Sequence, residues 1–505
     1  MGTNTAPSQI RTAGLLLRGV ALVYLVAFVS LAVQVEGLYG SEGILPVSGY
    51  LDWLGARWGA DAWRIHPTLF WLGSSDWALL GSCWAGAFAA IALWTGWTPR
   101  LSAAVCWVLY FSLFQIGRVF LGFQWDLLLL EAGFLAIFLA PVGLRPRSDE
   151  AAEPSVVTVW MFRWLLFRLM FASGFVKLMS GDPTWWNLSA LEYHYWTQPL
   201  PTWTAWGANL LPTVVQRGSV LVMFVIELGF PWFIFGPRRL RLVAFAALVL
   251  LQALIAATGN YSFLNLLTVV LCLSLLDDDA LQSMLGGRRR LPDLRAPWPQ
   301  DVHPRRPLAI ARVALAALLA LALATVGGAM MVARFVGLDA FPAPVVALVR
   351  ALEPWHLTSS YGLFAVMTTQ RREIVLEGSL DGVEWREYEM RWKPGDVHSR
   401  PRFVAPYQPR LDWQMWFASL GDWKQSPWLV EVEKRLLQGP GPVLDLFASD
   451  PFDGRPPRHV RAMLYDYRFT SAAVRGETDA WWTRRRVGQF SPTVSREQAA
   501  QQGPP

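Results

Sequence analysis

Nine apolar stretches, most of them near 20 residues long, decide what this chain can become. A helix crossing roughly 30 Å of hydrocarbon needs about 20 mostly apolar residues, since its backbone polar groups must be satisfied within the segment. The stretches are Leu15–Val35, Trp77–Trp97, Leu101–Leu121, Leu127–Val142, Val156–Met179, Val214–Phe235, Leu240–Ala257, Phe263–Leu276 and Leu308–Val332. The fourth and eighth are short, as in tilted or partly re-entrant helices. The first is too long and too poorly bounded for a cleavable signal peptide. With 53% hydrophobic and 16% charged residues, the chain lies outside the soluble balance.

The loops orient these spans. Arg11 and Arg18 flank the start of the first span, Arg100 separates the second and third, and Arg145 and Arg147 follow the fourth. Arg238, Arg239 and Arg241 separate the sixth and seventh, and Arg288, Arg289, Arg290, Arg295, Arg305 and Arg306 precede the ninth. With nine spans all of these fall on one side, which the positive-inside rule makes cytoplasmic. The connection 181–212 has no Lys or Arg and falls outside with the C-terminus. A net charge of +6 spread over short loops is a pattern of orientation, and it argues against nucleic-acid binding. Membrane lipids are the expected surroundings.

From about Asp339 the composition becomes that of a soluble domain. Segments 372–379 and 383–390 read as strands joined through Leu380-Asp381-Gly382. Trp428–Gln438 has helical periodicity, and Val460–Thr470 reads as a late strand. The expected architecture is an all-α polytopic membrane bundle (residues 1–337), then a small β-rich or α+β extracytoplasmic domain (338–490), then a disordered tail (491–505).

A loop between spans is normally small and polar. Here the stretch Trp185-Trp186-Asn187-Leu188-Ser189-Ala190-Leu191-Glu192-Tyr193-His194-Tyr195-Trp196-Thr197-Gln198-Pro199-Leu200-Pro201 is dense in aromatics and carries Glu192, His194 and Gln198. That composition suits a segment at the bilayer interface or one folded back into the protein.

Ionisable residues inside spans are costly and face a partner or a wet cavity. Asp126, Glu131, Arg163, Arg168, Lys177 and Glu227 are of this kind. At 1.5 Å per residue, Arg163 and Glu227 lie about 10 and 12 Å from the inner side, and Glu131 and Arg168 about 15 and 18 Å. Opposite charges at matched depths are expected to pair. Lys177, near the outer end of its span, either snorkels or faces a cavity as a base. Glu192 and His194 from the connector, with Glu227 as counter-charge, would complete such a site.

Other chemistry is not signalled. No Gly-rich phosphate loop, metal-ligand spacing or nucleophile elbow is found, so neither a cofactor nor a metal is expected, and an enzyme lacks a second signature. Cys83, Cys106 and Cys272 sit in apolar segments and read as small buried hydrophobes.

The run from Ala190 to Pro201 resembles the signature of the lipase maturation factor family. Three further blocks are similar to it: Ile226–Arg239, Thr258-Gly259-Asn260-Tyr261-Ser262-Phe263-Leu264-Asn265, and Arg402–Phe417. The resemblance implies a polytopic membrane protein assisting the folding and assembly of secreted lipases through a lumenal C-terminal domain. It also implies the endoplasmic reticulum membrane in a eukaryote and the plasma membrane in a bacterium. Gln408, Arg410, Asp412, Trp413 and Trp416 would then belong to the client-binding surface. Asn187-Leu188-Ser189 and Asn260-Tyr261-Ser262 are glycosylation sequons on the outer side. A shorter run, Ala172-Ser173-Gly174-Phe175-Val176-Lys177-Leu178, is similar to the membrane region of vitamin K-dependent gamma-carboxylases, where a lysine at the position of Lys177 is the base acting on a reduced quinone. The rival expectation is thus a lipid- or quinone-dependent membrane enzyme.

Overall fold

The computed structural model of the protein describes residues 8–144, 153–284 and 306–501. Arg145, Arg147, Arg288, Arg289, Arg290, Arg295 and Arg305, which contribute to the expected orientation, lie outside the described residues.

The N-terminal two thirds is a helical bundle: α1 (Ile10–Ala32), α2 (Asp76–Thr95), α3 (Pro99–Ile116), α4 (Gln124–Leu139), α5 (Val156–Met179), α6 (Ala190–Thr197), α7 (Thr213–Phe224), α8 (Arg238–Thr258), α9 (Leu264–Cys272) and α10 (Arg306–Val336). Local chemistry sets the ends. The Ser75 hydroxyl accepts from the Ala78 N–H to open α2, Gly96 at φ +78° closes it, and Pro99 opens α3 where no N–H is needed. Among the described residues, seven segments are long and apolar enough to span a membrane. They are α1, α2, α3, α5, α8, residues 213–235 and the part of α10 from Val313. The fourth and eighth expected spans are the short helical segments Gln124–Leu139 and Leu264–Leu275, about 24 and 18 Å long.

The arginine-bearing ends meet at one end of the bundle. Arg238 pairs with Asp277 at 2.6 Å, Asp278 accepts the Arg11 and Thr12 N–H groups at the start of α1, and Arg100 donates to the Ala140 carbonyl beyond α4.

The C-terminal part is a five-stranded antiparallel sheet, ordered β2 (Arg386–Tyr388), β1 (Arg371–Ser379), β3 (His459–Phe469), β4 (Trp482–Gln489), with β5 (Val494–Ser495) also on β3. The expected hairpin forms with a longer loop. The Asp381 carboxylate takes up the N–H groups of Val383 and Glu384, so pairing resumes only at Arg386, opposite Gly378. Helices α11 (Arg410–Ser419) and α12 (Pro427–Gln438) supply Met415, Leu429, Val432 and Leu436 to the core shared with Ile374 and Leu376. Two expectations are corrected. Residues 491–501 are not a disordered tail, because β5 pairs with β3 and the helix Arg496–Gln501 follows it onto α12. Nor is everything after Asp339 a separate soluble unit.

Residues 353–367 thread down into the bundle. Gln115 donates to the Pro354 carbonyl, Gln124 exchanges two 3.0 Å hydrogen bonds with Gly362, and Asp182 accepts the Met367 N–H. Deeper, Glu131 accepts from both the Arg168 guanidinium and the Ser359 N–H, while Arg168 also donates to the Ser359 carbonyl at 2.9 Å. Glu131 lies seven residues inside α4 and Arg168 eleven residues inside α5. The segment therefore reaches about 10 to 16 Å in from the start of α4 and the end of α5. Gly327 of α10 makes room: a Cβ there would lie 2.8 Å from the Arg168 guanidinium carbon.

Candidate intramembrane site

The connector 185–201 is folded back into the protein. Arg371 of β1 donates to the carbonyls of Trp196, Gln198 and Pro199, and Trp416 of α11 donates to that of Thr197 at 2.8 Å. Helix α6 thus lies between bundle and sheet, with its His194 turned toward the bundle.

The residues expected to make a client surface form this joint instead. Gln408, Arg410, Asp412, Trp413 and Trp416 are all buried, a correction to the expected exposed surface. Arg410 meets both oxygens of Asp126 at 3.0 and 3.1 Å and the Phe120 carbonyl at 2.6 Å, while Tyr110 donates to the same Asp126 at 2.5 Å. The Gln408 carbonyl and Arg410 N–H bond to Gln34 of the first loop. Asp412 accepts the N–H groups of Trp392 and Lys393, and burial, partly offset by those bonds, raises its carboxyl to about 6. Trp413 packs on Phe123, Trp125 and Tyr261. An intraspan carboxylate here finds its cation in a helix 284 residues later.

Three of the four expected chemical residues converge. Lys177, His194 and Glu227 line one cavity of about 350 Å³, within the roughly 300–1,000 Å³ of ligand sites. Lys177 Nζ lies 2.6 Å from Glu227 Oε2, with both side chains 6% exposed. Two local features permit this. The chain makes a π turn over Val225–Gly229, a distortion common at functional positions. Gly174, on the turn of α5 before Lys177, lets Glu227 approach, since a Cβ would sit 2.9 Å from that of Glu227. Glu192 is not part of the group. It pairs with Arg217 at 3.0 Å, half in solvent.

Arg163 does not meet Glu227 either. Its Nε donates to the Ser274 carbonyl at 3.0 Å. Depth counted from helix ends misleads here because the sixth span stops short. Phe235 stacks on Trp160 and contacts Phe167, so the C-terminal end of this span sits partway along α5, and Glu227 reaches the level of Gly174. The Glu131–Arg168 pairing occurs as the depths imply.

Tyr195, Thr258, Tyr261 and Asn265 of the quoted motifs line the same cavity, together with Gln252. Tyr261 donates to Gln198 Oε1 at 2.7 Å and lies 2.8 Å from His194 Nε2. Asn265 donates to Gln252 at 2.8 Å. Gly259 is needed beside them, because a Cβ would fall 2.2 Å from Gln198 Oε1. Burial first, and the Lys177 charge second, pull His194 down to about 4, and burial pushes the Tyr261 phenol up. Of the two sequons, Asn260 is buried, with its side chain bonded to the backbone at Leu200, Arg402, Val404 and Ala405. Asn187 is exposed.

No solved structure matches the chain. Residues 11–283 match the lipase maturation factor transmembrane domain family, and residues 357–492 match the lipase maturation factor C-terminal domain family. The chain is 40% identical to lipase maturation factor 2 of Gallus gallus, across 95% of this chain and 81% of that protein. It is 39% identical to lipase maturation factor 2 of Homo sapiens, across 95% and 82%. Lipase maturation factor 1 of Bos taurus is 35% identical, across 95% and 88%. Similarity that runs through bundle and sheet in the same order makes this chain a member of the lipase maturation factor family.

Proposed function

We propose that this protein is a multi-pass membrane factor assisting the maturation of secreted lipases, with its sheet domain on the extracytoplasmic side. The observation that carries the reading is similarity to proteins named lipase maturation factor through nearly the whole chain, bundle and sheet together. Clustering of Arg11, Arg100 and Arg238 at one end of the bundle supports a cytoplasmic N-terminus. Nine crossings then put the sheet domain outside. The membrane is the endoplasmic reticulum in a eukaryotic source and the plasma membrane in a bacterial one.

With 408–416 buried, clients meet the exposed outer strand β4, with Arg484, Arg485 and Arg486, rather than the joint. The test is co-expression with a secreted lipase in cells lacking their own factor, with secreted lipase activity as the readout. Wild type restores it, and β4 charge reversals lower it while leaving the factor's own level unchanged. No restoration by the wild type sinks the lipase reading. Truncation at 340 is a poor test, because it strips Asp126 of Arg410 and Glu131 of the Ser359 N–H.

The second reading, a lipid- or quinone-dependent enzyme using Lys177 as base, is favoured by one observation: Lys177, His194 and Glu227 share a cavity. Against it, the amine is already committed to Glu227, and that bond must break before Lys177 takes a proton. Lys177→Met separates the two, since wild-type client maturation by that variant excludes the base.

A further inference from the structure

The hydrogen-bond directions around the cavity fix what it can hold. Gln198 donates through Nε2 to the carbonyls of Tyr195 and Thr258, so its Oε1 is an acceptor. The Tyr261 hydroxyl gives its single proton to that oxygen. His194 Nε2, 2.8 Å from the same hydroxyl, must then carry a hydrogen and donate it. A neutral imidazole protonated on Nε2 presents Nδ1 as a bare lone pair, and Nδ1 is buried without a partner. Asn265, also in the wall, gives its amide hydrogen to Gln252 and leaves its buried Oδ1 without a donor. Lys177 has three ammonium hydrogens and, among the described residues, one hydrogen bond, to Glu227.

The site therefore combines a balanced Lys177–Glu227 pair, two acceptors lacking donors and spare ammonium hydrogens. Leu251, Leu254, Ile255 and Met223 make much of the remaining wall. An anionic head group would add an unbalanced charge at membrane depth, which is costly. A plain hydrocarbon would leave both acceptors unpaired, each at the cost of a buried unsatisfied group. A hydroxyl head avoids both penalties, donating to His194 or Asn265 and accepting from Lys177.

We propose that this cavity is a binding site for an uncharged, single-chain lipid with a hydroxyl head group, such as a monoacylglycerol. The head lies at His194 and Lys177, and the chain runs along the wall formed by Leu251, Leu254 and Ile255. The inference goes beyond lipase maturation and holds whatever the clients are.

The full-length protein, reconstituted in phosphatidylcholine vesicles, is irradiated with a diazirine monoacylglycerol and, separately, with a diazirine fatty acid of equal length. Labelled peptides are mapped by mass spectrometry. The monoacylglycerol probe should label residues 208–227 and 251–268, and unlabelled monoacylglycerol should compete. His194→Phe should cut that labelling about tenfold, the effect of one lost hydrogen-bond partner. Leu254→Trp fills the cavity without touching the polar network and should abolish labelling, which keeps the test decisive if His194→Phe fails to fold. Equal or stronger labelling of these peptides by the fatty acid overturns the neutral-head assignment. Labelling that resists competition, or persists in Leu254→Trp, means annular lipid only and overturns the site.

Discussion

The joint between bundle and sheet and the cavity under α6 are each built around a buried ion pair, and they are finished differently. At the joint, both Asp126 oxygens and both Arg410 terminal nitrogens are bonded, with Tyr110 and the Phe120 carbonyl filling further positions. At the cavity, Lys177 and Glu227 share one hydrogen bond beside an open volume. A pair bonded at both oxygens and both terminal nitrogens is cement: it fixes one geometry, even with the buried Arg410 Nε left without a partner. An unsaturated pair beside a void keeps bonding capacity in reserve.

The largest effect should break the joint. Asp126→Ala leaves Arg410 buried and unpaired, and should cost about 3–5 kcal/mol. Thermal unfolding of the detergent-solubilised protein measures it, and an unchanged melting point would mean the joint opens to solvent. Next, Gly174→Val forces α5 away from the π turn. It should cost about 1–3 kcal/mol by overpacking, and should lower monoacylglycerol labelling at the same time.

A third buried carboxylate sharpens the comparison from the other side. Among the described residues Glu433 of α12 has no cation and bonds to the Ser491 hydroxyl, and burial pushes it up to about 8. A folded pKa above the unfolded value near 4.5 means the native state binds the extra proton. Stability from this group is greatest below about pH 4.5 and is lost as pH rises toward 8. Glu433→Gln should remove that slope and stabilise the protein by on the order of 1 kcal/mol at pH 8, read from melting points across pH. His194 has the opposite sign. Its folded pKa near 4 lies below the ordinary 6.5, so its contribution is complete above pH 6.5 and fades as pH falls toward 4. The smallest effect is predicted for the double change Lys177→Met with Glu227→Leu, which should leave stability within about 1 kcal/mol of wild type or raise it. A loss as large as that of Asp126→Ala would erase the distinction between the two pairs.

Much of this was legible in the chain. Apolar length located the spans, strand-like runs and the Asp381-Gly382 turn signal located β1 and β3, and the odd composition of 185–201 pointed at a connector folded inward. Lys177, His194 and Glu227 were singled out because each was expensive or unusual where it stood. What could not be read was azimuth and level. Counting residues from a helix end assumes that all spans start on one plane, and the sixth span, whose Phe235 end packs beside Trp160 and Phe167, breaks that assumption, so Glu227 meets Lys177 rather than Arg163. Long-range closure was equally hidden. Nothing local to Arg410 says that it belongs with Asp126, and an aromatic-rich helix in a polar domain reads as a surface until its neighbour is known.

The dependence of the bundle on distant residues has a consequence for biosynthesis. Glu131 and Asp126 enter the membrane early, yet Ser359 and Arg410 follow them by 228 and 284 residues. At ribosomal speeds of about 5–20 residues per second, the acids wait roughly 10 to 60 s for those late partners. During that interval the inserted helices are an unfinished shell. A chain released early stays so permanently, which makes completeness itself visible to the cell's quality control.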